Sequence, residues 1–521
     1  MSDSFIFELP LQVSPEEEKT LNTRFDAGGS LYNVCLGEAL KRLDLARQSK
    51  EWALVRKLPR SKERSKRFQE ILQLFQFSEY ALHLALKKHV KSSWIKDHID
   101  SQVAQKIGSR AFQAAYEYLV GKRGRPRFKK TKQISSLEGK SNITGIRFKN
   151  GKIQWKSLIL KPLYDKRDKD GVEAHALSHK TKYVRLVRRA SKGKYFYYAQ
   201  LIQEGKPLIK KKHKLGHGKS VGLDIGPSTI AIVGKTAQLS PFCAELQDNE
   251  KKISKLQQAM DRSRRASNPQ NYENGIPKKN VLWKKSNRYL KKQQELSHLK
   301  RTTASTRKTI HGTYVNYILS LGTTVKCEKL SYQSFQKIFG KSVTKYAPGM
   351  FMQILRRKAE NAGGQVIEFS TYDTKLSQTC HQCDRVKKKP LSERWHRCPC
   401  GIEAQRDLYS AFLALHVDNK VLDRSQAQLA WASADLLLKQ AISRLEQTAI
   451  GKQRLACFGL GQRQSRLPVE DGSTSSEVRN VVPGRNLGES FEELDCLAIR
   501  TPLDLSMGSG SDKTHVDQLP T

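Results

Sequence analysis

No run of eighteen apolar residues occurs in this 521-residue chain, so a membrane-spanning helix is not expected. The start, Met1-Ser2-Asp3-Ser4-Phe5, lacks a basic region followed by an apolar core, so no secretory leader is expected. Cysteine is sparse, nine in all, too few for a dense disulfide framework. Four of them fall between positions 380 and 400, a clustering that suggests metal in a reducing compartment. Acidic residues are the main shortage: 50 Asp and Glu stand against 94 Lys and Arg, a formal net charge of +44. Such an excess repels itself in a compact fold unless a polyanion neutralises it, which makes nucleic acid the expected partner. Hydrophobic residues make up 38% of the chain, enough for sizeable cores and too many for a chain disordered throughout. The length accommodates roughly three or four domains.

Along the chain, Phe5-Ile6-Phe7-Glu8-Leu9 reads as a strand. Ser14-Pro15-Glu16-Glu17 then supplies an N-cap, a first-turn proline and a capping-box glutamate. A helix-rich region follows to about residue 120. Leu21, Phe25, Tyr32, Cys35, Leu36, Ala39 and Leu43 recur at roughly helical spacing, with a possible break at Gly28-Gly29. A second helix is predicted over Lys62 to Lys88 and a third from about Ile99 to Val120, their apolar stripes forming a bundle core. The segment 121–130 ends this region with Arg123, Arg125, Arg127, Phe128, Lys129 and Lys130, cations and an aromatic beside flexible glycines. It suits a nucleic-acid backbone better than a merely solvated face. From 134 to 213 the pattern becomes β-like, as in Lys194 to Ile202, and predicts a small barrel or sheet joined by the N-terminal strand. Residues 249–320 read as two long basic helices broken around Ser267 to Pro277. Lys284, Lys285 and Arg288 there put charge on more than one face, as for helices lying against a polyanion. A C-terminal helix over Ser425 to Leu445, with Leu429, Leu436, Leu437, Ala441 and Leu445, either caps the preceding domain or binds a second copy; capping is favoured. Beyond about 450 the composition turns to Gly, Ser, Pro and acidic residues without periodicity, as in a mostly disordered tail.

Three carboxylates sit at points where chemistry is expected. Asp224 lies in a buried-type strand, Val221 to Gly226, closed by a Gly-Pro-Ser turn and a second apolar strand, Thr229 to Val233. Glu328 follows the short β-type run Thr323 to Cys327, and Asp407 opens the helix-like stretch Leu408 to Leu415. A two-metal nuclease needs two or three carboxylates from separate elements. Mg²⁺ is a hard cation that takes oxygen ligands and keeps positions for water and phosphate.

Cys380-x2-Cys383 followed by Cys398-Pro399-Cys400-Gly401 resembles a zinc ribbon, two thiolate turns clasping one tetrahedral ion. The second turn has one intervening residue where a ribbon knuckle has two. This makes it harder for both sulfurs to reach one ion and leaves His381 or His396 as an alternative fourth ligand. Four reduced cysteines without metal remain the competing reading. A four-ligand zinc site leaves no open position and would be structural.

Taken together, several stretches resemble the TnpB family of transposon-encoded RNA-guided nucleases, related to the compact type V CRISPR effectors. They are Gly222-Leu223-Asp224-Ile225-Gly226, Glu328-Lys329-Leu330, the helix around Leu355 to Glu360 before Gly363-Gly364, Ser377-Gln378-Thr379-Cys380, and Arg406-Asp407. The likeness reaches back to Asp100 to Ala104, Arg110-Ala111-Phe112 and the Gly-Arg-Pro-Arg-Phe-Lys segment, covering roughly residues 5–415. It implies a multidomain α+β protein: an RNase H-like (RuvC) nuclease domain with an inserted zinc ribbon, a helical recognition domain and a wedge-type β-barrel. The domains would run 1–13 (first barrel strand), 14–125 (recognition), 126–213 (wedge barrel), 214–375 (first part of the nuclease), 376–403 (zinc ribbon and target loading), 404–450 (last nuclease part and C-terminal helix) and 451–521 (tail). Asp224, Glu328 and Asp407 sit where the family's three catalytic acids sit. The chain departs from the pattern in its Cys-Pro-Cys knuckle, in Asp384 where a glycine often follows the second cysteine, in Tyr409-Ser410 after the last aspartate, and in its C-terminal extension.

The resulting expectation is Mg²⁺-dependent cleavage of DNA paired to a guide RNA next to a short flanking motif, with Asp224 shared between two ions and Glu328 and Asp407 completing their shells. Guide RNA and target DNA are the implied partners, structural zinc the second metal, and the prokaryotic cytoplasm, at the nucleoid when on DNA, the implied location. The alternative is an RNA-guided DNA-binding protein that occludes or recruits without cutting. A transposase acting without RNA would need a tyrosine or acidic core that the sequence does not offer.

Overall fold

The computed structural model describes residues 3–191, 193–279, 281–390, 392–448 and 458–460. Of the tail expected to be disordered at 451–521, everything but Phe458–Leu460 lies outside the described residues. Those three are placed, with Phe458 and Leu460 buried. The chain divides into two compact units, one ending at Leu208 and the other beginning at Ile209. No helix among the described residues is long and apolar enough to cross a membrane.

The first unit opens with β1 (Ser4–Gln12) and passes directly into α1 (Pro15–Gln48). The capping box forms: the Glu17 N–H donates to Ser14 Oγ (3.3 Å) and the Ser14 N–H to Glu17 Oε2 (2.7 Å), worth about 1 kcal/mol at the helix start. The helix runs unbroken through Gly28-Gly29, where a break was expected. A Cβ on Gly28 would lie 2.6 Å from Leu137 Cδ2, so the glycine serves close packing. Its cost of about 1 kcal/mol is small beside the burial of Phe25, Leu31, Leu36 and Leu43 along the same helix. Then come α2 (Lys50–Lys57), α3 (Lys62–Leu74), α4 (Glu79–Lys91), α5 (Ile95–His98) and α6 (Ser101–Leu119). The single helix expected over Lys62 to Lys88 is two. Gln76 turns into the left-handed region (φ 53°), and Ser78 caps the new helix by accepting from the Ala81 N–H at 3.2 Å.

The β-rich part adds β2 (Ser136–Glu138), β3 (Arg147–Lys149), β4 (Lys152–Trp155), β5 (Leu158–Pro162), a short α7 (Val172–Ser178), β6 (Thr181–Ser191) and β7 (Lys194–Glu204). They form a seven-stranded antiparallel sheet in the order β2-β6-β7-β1-β5-β4-β3. The N-terminal strand lies in its middle, pairing with β7 along Ser4 to Pro10 and with β5 at Leu11 and Gln12. In backbone pairing the sheet is a ladder from β2 to β3, and β3 also comes close to β6 near the other edge, as in a sheet curled toward a barrel. Asp100 joins helices to sheet: one oxygen caps α6 through the Gln102 and Val103 N–H groups, and the other accepts from Trp155 Nε1 at 2.7 Å.

The second unit begins with a meander, β8 (Ser220–Ile225), β9 (Thr229–Val233) and β10 (Ala237–Pro241). Next come α8 (Glu250–Ser267), a small hairpin of β11 (Tyr272–Glu273) and β12 (Ile276–Pro277), and α9 (Asn287–Leu321). Then follow β13 (Thr324–Lys329), α10 (Tyr332–Tyr346), α11 (Pro348–Asn361) and β14 (Gln365–Ser370). The sheet order is β10-β9-β8-β13-β14, with β8, β13 and β14 parallel and the meander antiparallel. Both parallel connections cross over through helices, as parallel pairing requires. There follow α12 (Thr371–Thr374), the hairpin β15 (Trp395–Arg397) and β16 (Glu403–Gln405), α13 (Arg406–Leu415) and α14 (Arg424–Thr448).

Two apolar layers sandwich this sheet. On one face Val221, Leu223, Ile225, Val325 and Cys327 pack on Val315, Ile318 and Leu319 of α9 and Phe351, Met352 and Leu355 of α11. On the other, Ala231, Val233, Leu239 and Phe369 meet α13 and α14. The C-terminal helix caps this core through Ala427, Ala434, Leu438, Ala441 and Ile442, while Leu429 and Leu436 point outward.

Candidate active site and cysteine cluster

Strand alternation decides which way the first two carboxylates face. In β8, Val221, Leu223 and Ile225 enter the α9 and α11 layer, which turns Gly222 and Asp224 toward α13. In β13, Val325 and Cys327 enter the same layer, which turns Lys326 and Glu328 the other way; Lys326 Nζ reaches the carbonyls of Leu415 (3.1 Å) and Val417 (2.8 Å) at the end of α13. The parallel register matches Lys326 with Gly222 and Cys327 with Leu223, so Glu328 comes next to Asp224 on neighbouring strands. Asp407 stands in the first turn of α13, buried. Its Oδ2 accepts from Thr229 Oγ1 on β9 at 3.2 Å.

Asp224, Glu328 and Asp407 thus converge from two strands and a helix. The Asp224 carboxyl is pushed well above the usual range, first by burial, then by the negative charges of Asp407 and Glu328, with Arg406 and the Ile225 N–H opposing. Glu328 is also raised by burial, against hydrogen bonds from the Leu376 N–H (3.4 Å) and Thr374 Oγ1 (3.3 Å). Arg406 does not neutralise the group by direct pairing: its Nη1 donates to the carbonyls of Pro390 and Glu393, each at 3.0 Å. Buried carboxyls whose ionised forms are disfavoured in this way offer oxygen donors of the kind a hard divalent cation takes, and its charge would oppose both shifts. Thr229, Thr374 and the Leu376 N–H, which orient two of the acids, carry no signal in the sequence because they act only through tertiary contact.

The cysteine turns meet. Cys380, Cys383, Cys398 and Cys400 place their sulfurs within 4.8 Å of one another. Cys380 Sγ lies 3.5 Å from Cys400 Sγ, and Cys383 Sγ 3.3 Å from Cys398 Sγ. The one-residue knuckle therefore brings both sulfurs in, against the sequence expectation. Gly401, at φ 93°, turns the chain so that its N–H bonds Cys398 O at 3.0 Å, while the Cys398 N–H bonds Ile402 O at 2.9 Å. In the first turn Asp384 adopts φ 59°, the conformation a glycine takes readily, and its N–H closes onto Cys380 O at 3.1 Å. Burial pushes the Cys380 thiol up to about 12, and the Arg385 N–H holds Cys383 down at about 7. Four thiols in this grouping fit a tetrahedral zinc ion.

His381 and His396, the alternative ligands, are engaged elsewhere. Both are buried against Tyr409, whose hydroxyl lies 2.7 Å from His381 Nδ1 and accepts from the His381 N–H at 3.0 Å, while the His396 ring stacks on it at 4.3 Å. Tyr409 thus links the cysteine module to the helix that carries Asp407.

The candidate nucleic-acid residues fall in separate units. In the first, Arg123 pairs with Glu117 (3.1 Å) and Arg125 forms a two-pronged pair with Asp44, the closer contact at 2.8 Å. Arg127, Phe128, Lys129 and Lys130 are exposed, and the Lys129 backbone is clipped to Asn33 at 2.7 and 2.8 Å. In the second, Lys284, Lys285 and Arg288 are exposed at the start of α9, where Asn268 holds the Lys284 backbone.

Residues 349–413, from α11 through the cysteine module and Asp407 into α13, match the family model described as Cas12f1-like, TNB domain. The match is to that segment of the chain alone. Among solved structures it is similar to that of a Cas12f1-sgRNA-target DNA complex (15% identity, 80% of this chain and 98% of that chain, TM-score 0.37). It is also similar to that of a CRISPR-Cas12f ternary complex (15% identity, 81% and 100%, TM-score 0.26). No curated protein matches the chain.

Proposed function

We propose that this protein is an RNA-guided DNA endonuclease with a single RuvC active site, cutting DNA that is paired to a guide RNA beside a short flanking motif. The observation that carries the reading is the convergence of Asp224, Glu328 and Asp407 from β8, β13 and α13, with the Asp224 carboxyl raised by burial and then by its two acidic neighbours. The order β10-β9-β8-β13-β14, with three parallel strands and an antiparallel meander, supports an RNase H-like core. The Cas12f1-like segment and the +44 charge support guide RNA and target DNA as partners.

In this reading Asp224, Glu328 and Asp407 hold Mg²⁺, which when bound lowers the pKa of a water and offsets the charge of the leaving oxygen. The chain's own groups set the stage. Thr229 fixes the orientation of Asp407, Thr374 and the Leu376 N–H fix that of Glu328, and β8 and β13 hold Asp224 and Glu328 side by side on a rigid sheet. The four cysteines hold structural zinc and so shape the hairpin that leads into α13. Exposed cations, among them Arg127, Lys129, Lys130, Lys284, Lys285 and Arg288, grip backbone phosphates without reading sequence.

The test is expression with the native flanking DNA, sequencing of any RNA that co-purifies, and Mg²⁺-dependent cleavage of a guide-matched target flanked by randomised bases. A discrete RNA with cutting that disappears in Asp224→Ala supports the nuclease. A discrete RNA with binding and no cutting by the unmodified protein replaces it with a guided binder, and the lack of any specific RNA overturns both.

A further inference from the structure

Helix α10 is amphipathic in sequence, with Tyr332, Phe335, Phe339 and Val343 at helical spacing, yet none of its residues is buried. Such a stripe normally packs on a core; here only its ends do. Tyr332 lies against Gly349, and at the far end Arg307 Nη1 donates to the carbonyls of Thr344 (2.9 Å) and Lys345 (2.8 Å) while His311 Nε2 lies 3.0 Å from Tyr346 O. Between these anchors Ile338 is 69% exposed and Phe335 and Phe339 are partly buried, their rings meeting edge to face at 6.1 Å. The helix kinks at Phe339 (φ −117°, ψ 35°), next to Gly340. Its charge is of one sign: residues 332–346 hold Lys337, Lys341 and Lys345 and no acid. Lys345 pairs with Asp248, while Lys337 and Lys341 are exposed. The helix begins directly after the strand that carries Glu328.

We infer that the middle of α10 is a stacking platform for single-stranded nucleic acid, Phe335 and Phe339 taking unstacked bases and Lys337 and Lys341 taking the adjoining phosphates. A protein partner would be met by apolar residues with mixed charge, whereas an aromatic pair between unopposed lysines complements a polyanion with exposed ring faces. A duplex does not fit as well, because its bases are already stacked and offer only edges and phosphates. The inference rests on the nuclease reading only for which strand is held: the one led toward Glu328 for cutting.

The experiment uses the full-length chain in Mg²⁺-free buffer with a single-stranded oligothymidine containing 5-iodouracil. Light-induced cross-links are mapped by mass spectrometry, and affinities for the same strand and for a duplex are measured by fluorescence anisotropy at raised salt. Cross-links are expected at Phe335 or Phe339. Phe335→Leu with Phe339→Leu should weaken single-strand binding about tenfold and leave duplex binding unchanged; Phe335→Tyr with Phe339→Tyr, which keeps both rings, should restore it. Cross-links confined to other segments, with affinity unaltered in the leucine variant, overturn the inference. So does a concentration-dependent dimer that the leucine variant abolishes, which would assign the face to a second copy. Cross-linking on α10 in a protein that never cuts DNA leaves this inference standing and removes the nuclease reading alone.

Discussion

A Cβ on Gly222 would lie 1.8 Å from the carbonyl oxygen of Ala411. No side chain can be accommodated at that distance, so β8 and α13 touch backbone to backbone at this point, two residues before Asp224 and one helical turn after Asp407. Gly222→Ala is expected to push α13 off the sheet at a cost of about 1–3 kcal/mol. It should lower the melting temperature and cut DNA cleavage at least tenfold by separating the acids. Gly312→Ala, whose nearest neighbour atom is Lys358 Nζ at 3.9 Å, is the control that should keep both. Calorimetry and a cleavage assay on the two variants decide it.

The carboxyl of Asp224 predicts a pH dependence. An acid whose folded pKa is raised keeps its proton in the native state while the unfolded chain loses it. Stability is therefore undiminished below the ordinary carboxylate value of about 4 and declines as pH rises through the folded value. In Mg²⁺-free buffer, Asp224→Asn should gain stability over the unmodified protein as pH is raised from the acid range, and added Mg²⁺ should narrow that gap. Parallel thermal melts across pH would refute this if the two proteins tracked each other.

Zinc content separates the cysteines from the histidines. Because all four sulfurs converge while His396 stacks on Tyr409, Cys400→Ser should lower bound zinc and the melting temperature, and His396→Gln should keep the metal. Metal analysis of the purified variants reads this directly, and zinc lost equally from both would return His396 to the ligand set.

Removing the Tyr409 hydroxyl strips the His381 N–H and ring of a buried partner, a loss of about 1–3 kcal/mol. Tyr409→Phe should therefore melt several degrees lower while retaining zinc. An unchanged melting temperature would mean that the hydroxyl does not fasten the module to α13.

Much of the local structure was legible in the sequence. The Ser14 to Glu17 capping box, the two basic helices α8 and α9, and the strands around Asp224 and Glu328 all rest on short-range chemistry: caps, turn residues and the alternation of apolar side chains. The failures also have physical causes. Gly28-Gly29 did not break α1, because burial along the helix outweighs glycine propensity, and Lys62 to Lys88 split because Ser78 is a cap where the apolar spacing alone suggested continuity. Leu429 and Leu436 were counted with the buried face of α14, since a helix with apolar residues on several sides does not announce which side meets a core.

The residue types that matter, three carboxylates and four cysteines, and the cationic excess that calls for a polyanion are properties of the sequence, because they depend on chemistry and spacing along one chain. Their meeting is not. Glu328 lies next to Asp224 only through the parallel register of two strands far apart in sequence, and Asp407 joins them only because Gly222 lets α13 approach. The Cys-Pro-Cys turn delivers both sulfurs only because Gly401 takes a left-handed turn within a hairpin. Each depends on backbone pairing and close packing between segments whose separation in sequence carries no record of their distance in space.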